Sequence, residues 1–416
     1  MKQFICLFVF ISLVIYIPAF SQVESVHLSW NSEKEQATEE TMAITWFSKG
    51  LTRGMVKYGT DRKLLQSHPA VGTHSAFMNT YIYKADLTKL KTSTLYYYQC
   101  GSEKSGWSEI YTFQTAPRLG SKTGFMVGVW GDTQDNEFNT SFQKSAAIVQ
   151  QIRKHPVNFT IHMGDIVNNG SQVSSWDLLF RTTEPINAFA PFMPVTGNHD
   201  VNNEPSDPGF QMPFPVFHEL FNLPEDDINY SFNYGNAHFV AINSGFAKEA
   251  EKSGDVLFER DSREYQWLDD DLSNARRNKD ITWIILYTHY PIYSYGWSHV
   301  PAWQRRITPL LDQYNVDLCL AGHRHVYERH AAIRNNQILS LEDNRVYQRP
   351  AGTVYITNGT AGGSPQGIGG KDLPSMVFTS PRKMYNYAIM TIEDNALTYV
   401  VYNEESEIID RFQIIK

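Results

Sequence analysis

The segment VDLCLAGHRHVYER, residues 316–329, decides the fold expected for the larger part of the chain. It begins with a nearly unbroken apolar run, which is typical of a strand buried on both faces of a sheet. The run ends at Gly322, and His323 and His325 follow directly. Imidazole nitrogens are common ligands of transition metals such as iron and zinc. The segment therefore predicts an α/β layered fold with a metal site at one edge of its sheet.

Other apolar runs along the chain also end in polar motifs. These motifs are GDTQDN with Asp132, GDIVNNG with Asp165, GNHD with Asn198 and His199, and THYP with His289. Strand ends in an α/β sheet gather along one edge, so we expect these side chains to converge. A carboxylate has two oxygens and can bridge two cations. The set of two carboxylates, one amide and three imidazoles therefore predicts a site for two metal ions.

The order of the motifs carries this prediction, because each motif alone has an ordinary explanation. A single Gly-Asp pair is usually a turn, and a single histidine is usually a hydrogen-bonded polar residue. If the GHRH segment is extended, alternation places His323 and His325 on the same face, from which each can reach a different ion.

The pattern of apolar and polar residues changes near Pro117. From about residue 26 to residue 117, short alternating strands separated by turns predict a β-sandwich, with Tyr96 as its corner tyrosine. Beyond Pro117, apolar strands alternate with helical patterns, as in residues 262–279, where Asp261 and Glu264 are suited to cap the start. This second part predicts an α/β domain.

The amino-terminal segment, residues 1–21, has the pattern of a secretory signal peptide. It carries Lys2, an apolar run, and small residues at Ala19 and Ser21. A membrane anchor is the alternative, but Pro18 cuts the run short of the roughly 20 apolar residues that a span needs. We therefore expect a secreted or periplasmic protein with no membrane association after cleavage.

The cysteine content is low. Cys6 lies in the signal segment, so Cys100 and Cys319 remain in the mature chain. They fall in different predicted domains, and we expect two buried free thiols, with a disulfide as the alternative.

The charge balance argues against nucleic acid as a partner. The 416 residues include 36 Lys and Arg and 44 Asp and Glu, a net charge of −8, and no block of basic residues occurs. Nucleic-acid surfaces need such positive charge. A ligand that carries phosphate would therefore need local positive charge, which bound metal ions can supply.

The five polar motifs, in this order, resemble the calcineurin-like metallophosphoesterase superfamily. The amino-terminal part resembles a fibronectin type III module, and more specifically the small domain of purple acid phosphatases. The resemblance implies an α/β (α+β) fold, in which a four-layer metallophosphoesterase β-sandwich flanked by helices follows an all-β immunoglobulin- or fibronectin III-like sandwich. The implied domains are a signal peptide at 1–21, the small domain at 22–117 and the catalytic domain at 118–416.

The resemblance also implies roles for individual residues. Asp132 and His325 would bind the first metal, Asp165 would bridge, and the ligands of the second metal would be Asn198, His289 and His323. The expected catalytic residues are His199, which would contact the substrate phosphate and protonate the leaving oxygen, and His299, which lies near a further family histidine.

One position departs from the family pattern. The family has a tyrosine three residues after the bridging aspartate, and this chain has Asn168. Gln134 stands where other metallophosphoesterases have a histidine ligand. The sequence therefore leaves the identity of the two metals undetermined within the set that the family uses, which is iron paired with zinc, manganese or iron.

The implied function is an acid phosphatase that hydrolyses small phosphate monoesters by attack of a metal-activated hydroxide. One alternative keeps the fold and the metals but acts on phosphodiesters, nucleotides or phytate. Another is a catalytically weak protein whose amino-terminal sandwich binds a partner or a cell-surface polymer. The sequence leaves the oligomeric state open.

Overall fold

A computed structural model of the chain provides the structure. It describes residues 22–31, 37–50, 52–134, 141–200, 215–224, 228–245, 258–295, 300–339, 345–367 and 374–416. The predicted signal segment and His299 lie outside these ranges.

The amino-terminal β region, as we call residues 22–117, consists of strands in the part that is described. They are β1 (Val23–Ser29), β2 (Met42–Ser48), β3 (Met55–Gly59), β4 (Gln66–Pro69), β5 (Val71–Ser75), β6 (Thr80–Leu87), β7 (Leu95–Ser102), β8 (Gly106–Trp107) and β9 (Tyr111–Gln114). One sheet has the order β1-β2-β6-β5, and the other has the order β4-β3-β7-β8, with β9 paired to β7. The Tyr96 hydroxyl accepts a hydrogen bond from the backbone N–H of Lys91 at 2.9 Å, the kind of contact expected of a corner tyrosine.

The α/β region, residues 118–416, contains the remaining elements. Its strands are β10 (Phe125–Trp130), β11 (Phe159–His162), β12 (Phe192–Pro194), β13 (Tyr230–Tyr234), β14 (Ala237–Ile242), β15 (Trp283–Thr288), β16 (Leu318–Ala321), β17 (Tyr327–Arg334), β18 (Gln337–Ile338), β19 (Val346–Gln348), β20 (Thr353–Asn358), β21 (Met376–Thr379), β22 (Asn386–Glu393), β23 (Ala396–Asn403) and β24 (Ile408–Ile415). Its described helices are α1 (Gln143–Ile152), α2 (Val173–Asn187), α3 (Pro215–Leu220), α4 (Arg263–Arg277) and α5 (Pro301–Gln313), and a short 3₁₀ turn spans Asn198–Asp200.

Two sheets form the centre of the α/β region. The first has the order β12-β11-β10-β22-β23-β24-β19, and the second has the order β13-β14-β15-β16-β20-β17-β18, with β21 paired to β17. Strands β10, β11 and β12 are parallel to one another, and so are β14, β15, β16 and β20. The polar motifs follow the carboxyl ends of five of these parallel strands.

The strands of the second sheet are buried on both faces, as their apolar sequences predict. In β15, Ile284 and Leu286 share a core with Leu268 and Leu272 of α4. Their neighbour Ile285 belongs to the other core, which includes residues of β10 and β11. Helices therefore cover the outer face of this sheet, and its inner face packs towards the first sheet, as expected for a four-layer fold.

In α1, Ser145, Ile148, Val149 and Ile152 are buried, and Ala146 is half-buried. The predicted cap of α4 needs correction. In α4 the cap is Ser262, whose hydroxyl accepts a hydrogen bond from the Tyr265 N–H at 3.1 Å. A serine in extended conformation brings its oxygen close to the first free N–H groups, so neither Asp261 nor Glu264 is needed there.

Cys100 and Cys319 are both free and buried, which confirms the expected pair of thiols. Among the described residues, no helix has the length and apolar character needed to cross a bilayer.

Candidate metal centre

The predicted ligands lie in loops at the carboxyl ends of parallel strands. Asp132 follows β10, Asp165 follows β11, Asn198 and His199 follow β12, His289 follows β15, and His323 and His325 follow β16. The two sheets bring these ends to one edge of the α/β region. The structure thus brings together all six predicted metal ligands, together with His199.

The first group of donors contains Asp165, His289 and His323, whose ligand atoms lie within 4.8 Å of one another. The amide of Asn198 belongs to the same group. Its Oδ1 lies 3.1 Å from His289 Nε2 and 3.0 Å from His323 Nδ1. The two ring nitrogens are 3.2 Å apart.

The second group contains Asp132, Asp165 and His325, again with ligand atoms within 4.8 Å of one another. His325 Nε2 lies 3.3 Å from Asp132 Oδ1. Asp165 is common to both groups, and its Oδ1 is also 3.3 Å from His289 Nε2. This shared carboxylate has the position that a residue bridging two cations needs.

The hydrogen bonds of the imidazoles test whether cations fit these groups. His289 donates from Nδ1 to the Met163 carbonyl at 2.8 Å, and His325 donates from Nδ1 to the Ser364 carbonyl at 2.9 Å. In neutral rings, each Nε2 therefore carries a lone pair that faces an oxygen of Asn198 or Asp132. Lone pairs at about 3 Å repel unless a positive charge lies between them, so the residues present fit bound metal ions.

The pKa shifts of the site residues also indicate that positive charge is favoured between the carboxylates and the imidazoles. Burial lowers the pKa of His289, but Asp165 and Asp132 outweigh it and raise that pKa to about 9. The pKa of His325 is also raised, because the contacts with Asp132 outweigh burial. Burial opposes ionisation of Asp165, yet the neighbouring histidines His289 and His199 hold its pKa well below the usual value. Protons and metal ions therefore compete for the same nitrogens.

His323 behaves differently. Burial, reinforced by His289, lowers its pKa well below the usual value, so its ring is neutral and suited to bind a metal. Its ring also packs on Tyr290, with 3.9 Å between ring centroids. This packing orients the imidazole.

Three of the ligand candidates have left-handed backbone conformations. The φ angles are 53° at Asp132, 49° at Asp165 and 64° at His323. His323 is thus not extended, and the expectation that an extended segment places His323 and His325 on the same face by alternation is wrong. A sharp turn at His323 directs it to the first group and leaves His325 with the second.

Comparisons with known protein families agree with this geometry. Residues 125–327 match the model of the calcineurin-like phosphoesterases, and residues 23–115 match that of the purple acid phosphatase N-terminal domain. The chain therefore has a calcineurin-like phosphoesterase domain, preceded by a purple acid phosphatase N-terminal domain.

Individual relatives share both parts of this phosphoesterase. Acid phosphatase type 7 of Danio rerio is 26% identical to it, over 96% of this chain and 93% of the relative. Probable purple acid phosphatase 20 of Arabidopsis thaliana is 27% identical, over 80% of this chain and 73% of the relative. The solved structure of purple acid phosphatase PPD1 from yellow lupin (Lupinus luteus) seeds superimposes with a TM-score of 0.82 and 19% identity, over 95% of this chain and 74% of that one. The fold is therefore shared along nearly the whole chain.

Asp200 is a site residue of this phosphoesterase that the sequence analysis missed. Its Oδ1 accepts hydrogen bonds from the N–H groups of Ile166 and Val167 at 2.7 and 3.0 Å, and its Oδ2 accepts one from Gly197 N–H at 2.7 Å. Burial and the charge of Asp165 raise its pKa to about 7. Asp200 thus ties two ligand loops together, and the acidic residue that ends GNHD was the available signal.

Glycines on the loop after β20 were missed as well. A Cβ at Gly359 would lie 2.4 Å from Asp132 Oδ2, and a Cβ at Gly363 would lie 2.5 Å from the His325 ring. Only hydrogen fits beside these ligands.

Asn168 and Gln134, the two residues that depart from the family pattern, each contact a residue of the site. The Asn168 carbonyl accepts a hydrogen bond from His199 Nδ1 at 2.8 Å, and the Gln134 side chain donates to Asp165 Oδ2 at 3.4 Å. His199 is 40% exposed, and its Nε2 lies 4.0 Å from Asp165 Oδ2. It is therefore accessible at the edge of the site. The expectation for His299 remains a prediction, since this residue lies outside the described part of the chain.

Proposed function

We propose that this protein is a secreted acid phosphatase with a two-metal centre, which hydrolyses small phosphate monoesters. The observation that carries the proposal is the pair of donor groups that share Asp165. We further propose the domain limits 22–117 and 118–416. Acid phosphatases among the relatives support the reaction class.

One proposed ion is bound by the second donor group, which is Asp132, Asp165 and His325. The other is bound by the first donor group, which is Asp165, His289 and His323, together with Asn198. When bound, two such ions supply the positive charge that attracts a phosphate ester and the Lewis acidity that activates water at neutral or acid pH. Donors of mixed nitrogen and oxygen type favour iron, zinc or manganese over magnesium and calcium. Although Asn168 replaces the family tyrosine, we propose the metal pairs that the family uses, which are iron together with zinc, manganese or a second iron.

His199 is the proposed proton donor to the leaving oxygen. Its backbone N–H donates to Asp165 Oδ1 at 2.9 Å, and its Nδ1 donates to the Asn168 carbonyl. These two contacts leave Nε2 directed away from the loop, where a protonated ring can donate to a substrate oxygen.

Among the described residues, no lysine or arginine forms an ion pair with Asp132 or Asp165. In the described ranges, the ion-pair partners of Asp132 and Asp165 are histidines. We therefore expect the binding of a phosphate ester to depend on bound metal ions. The metal content of the purified protein tests this directly.

Elemental analysis of the purified protein, combined with rates on a panel of esters from pH 4 to pH 8, tests the proposal. Two bound ions per chain and faster hydrolysis of a monoester than of a bis-ester are expected. Faster hydrolysis of the bis-ester would instead support the phosphodiesterase alternative. A protein that neither retains metal nor recovers it from iron, zinc or manganese contradicts the two-metal centre.

A further inference from the structure

Side chains of the amino-terminal β region hold the end of α3 in the α/β region. Lys84 Nζ donates to the carbonyl of His218 at 2.8 Å and also to that of Phe221. His27 Nε2 lies 3.1 Å from the Leu220 carbonyl. Ser29 Oγ donates to the Asn222 carbonyl at 2.5 Å. These groups satisfy carbonyls that a helix end leaves without partners inside the helix.

An aromatic cluster continues from this contact towards the metal centre. The ring of Phe221 lies 6.2 Å from Trp176 of α2 in an edge-on arrangement. His27 stacks on Phe180 of α2 at 4.8 Å, and Phe180 stacks on Trp176 at 6.3 Å. All four rings are buried. Close packing of this kind transmits displacement rather than absorbing it.

Trp176 connects the cluster to the loop beside His199. Its indole Nε1–H donates to the Gly170 carbonyl at 3.0 Å. The N–H of Gly170 donates to the His199 carbonyl at 2.8 Å, and the Asn168 carbonyl accepts from His199 Nδ1 at 2.8 Å. One short loop thus sets both the backbone position and the ring orientation of His199.

We propose that the amino-terminal β region positions His199 through this path, with Lys84 and Trp176 as positioning residues. The inference rests on the proposed function, since it assigns a purpose to a domain that contributes no ligand to the proposed metal centre. Catalysis by a proton donor depends on sub-ångström placement, so a small displacement of the 168–170 loop lowers turnover without changing which residues bind metal.

The test uses Trp176→Phe, which keeps an aromatic ring but removes the N–H, and Lys84→Met, with Lys84→Arg as the conservative rescue. We expect kcat for a phosphate monoester to fall about three- to tenfold in the first two variants. Metal content and KM should stay unchanged, and Lys84→Arg should recover most of the loss. Lys57→Met is the matched control, because the Lys57 ammonium contacts Glu103 and the Trp107 ring, which both belong to the same β region.

A double-mutant cycle decides whether the effect passes through His199. In a His199→Gln background, Trp176→Phe and Lys84→Met should cause little further loss of kcat. An equal loss in both backgrounds, or wild-type kcat in the single variants, overturns the inference. If Trp176→Phe does not fold, the Lys84→Met cycle gives the same decision.

A second measurement does not depend on activity. The ring signals of His199, followed by NMR in histidine-labelled holoprotein, should shift in Trp176→Phe and Lys84→Met but not in Lys57→Met. Unchanged signals contradict the inference even if the protein proves inactive. Lack of activity in wild-type protein with normal signals counts against the proposed function instead.

Discussion

The amino-terminal β region and the α/β region use the same rare backbone conformation for different purposes. In the β region, left-handed residues include three exposed residues outside its strands, Asn79, Lys89 and Ser93. In the α/β region they include three buried ligand candidates, Asp132, Asp165 and His323. A non-glycine residue in this conformation costs roughly 1–2 kcal/mol. The difference teaches that backbone strain marks the site only where it coincides with burial and with donor atoms from other strands.

The largest expected effect comes from Asp165, the carboxylate shared by both donor groups. Asp165→Asn keeps the shape of the side chain but removes its charge, so we expect phosphatase activity to fall by more than about a hundredfold and metal content to drop. Steady-state kinetics and elemental analysis measure both. Asp61→Asn is the control, since Asp61 is an exposed turn residue of the β region whose carboxylate accepts a hydrogen bond from the Lys63 N–H. Wild-type rates in Asp165→Asn contradict the proposed centre.

Glycine replacement tests how closely the site is packed. In Gly359→Ala, the new Cβ meets Asp132 Oδ2 at 2.4 Å and the Arg324 carbonyl at 2.9 Å. We expect at least a tenfold loss of activity and about 1–3 kcal/mol lower free energy of unfolding. Gly50→Ala in the β region is the control, because its nearest neighbour would be Gln22 Oε1 at 3.8 Å. Equal losses of activity and stability in Gly359→Ala and Gly50→Ala would show that the site is not packed more closely than the β region.

The two regions should share one response to pH. Burial lowers the pKa of His27 in the β region and of His330 in the α/β region to about 4. Unfolding restores an ordinary pKa, so each residue stabilises the protein above about pH 6.5, and this contribution is lost as the pH falls towards 4. At pH 5 the loss is about 2 kcal/mol for each residue.

Urea unfolding at pH 7 and pH 5 measures this response. His27→Gln and His330→Gln should each reduce the difference in unfolding free energy between the two pH values by about 2 kcal/mol. An unchanged difference in either variant shows that the histidine is not neutral in the folded protein. Replacement of the exposed Gln66 by alanine is the control, and it should leave the difference as it is, because glutamine does not titrate.

The smallest expected effect concerns a turn. Lys89 is exposed, with a φ of 58°, and Lys89→Gly should raise the free energy of unfolding by up to about 1 kcal/mol without changing activity. Thermal and urea unfolding would detect it. The same replacement at Asp132 would relieve the same kind of strain but remove a proposed ligand. Loss of activity in Lys89→Gly would contradict the contrast between the two regions.

Much of the site was predictable because its donors come in short local motifs. Each of Asp132, Asp165, His289 and His323 follows an apolar strand, and that pattern can be detected from neighbouring residues. The prediction that His323 and His325 share one face of an extended segment was wrong, since a left-handed turn at His323 replaces that segment. Such a turn depends on the surrounding loops, which local sequence does not describe.

The missed residues share a different cause. Asp200 contributes by accepting N–H groups of its own loop and of the loop after β11, and Gly359 through the absence of a side chain next to Asp132. Both roles exist only after strands that are separate in the sequence have come together. In α1, the buried Ser145 hydroxyl donates to the Thr133 carbonyl at 2.8 Å, a contact that likewise depends on another loop.

By itself, the sequence determined the two regions, the strand-end motifs and the chemical types of the donors, because hydrophobic period and residue type are local properties. The tertiary structure alone decided that Asp165 is shared by both donor groups and that Asp200 joins two loops. It also decided that Lys84 of the β region contacts the end of α3. The physical reason is that these contacts join residues far apart in the chain, so they arise from packing rather than from any local pattern.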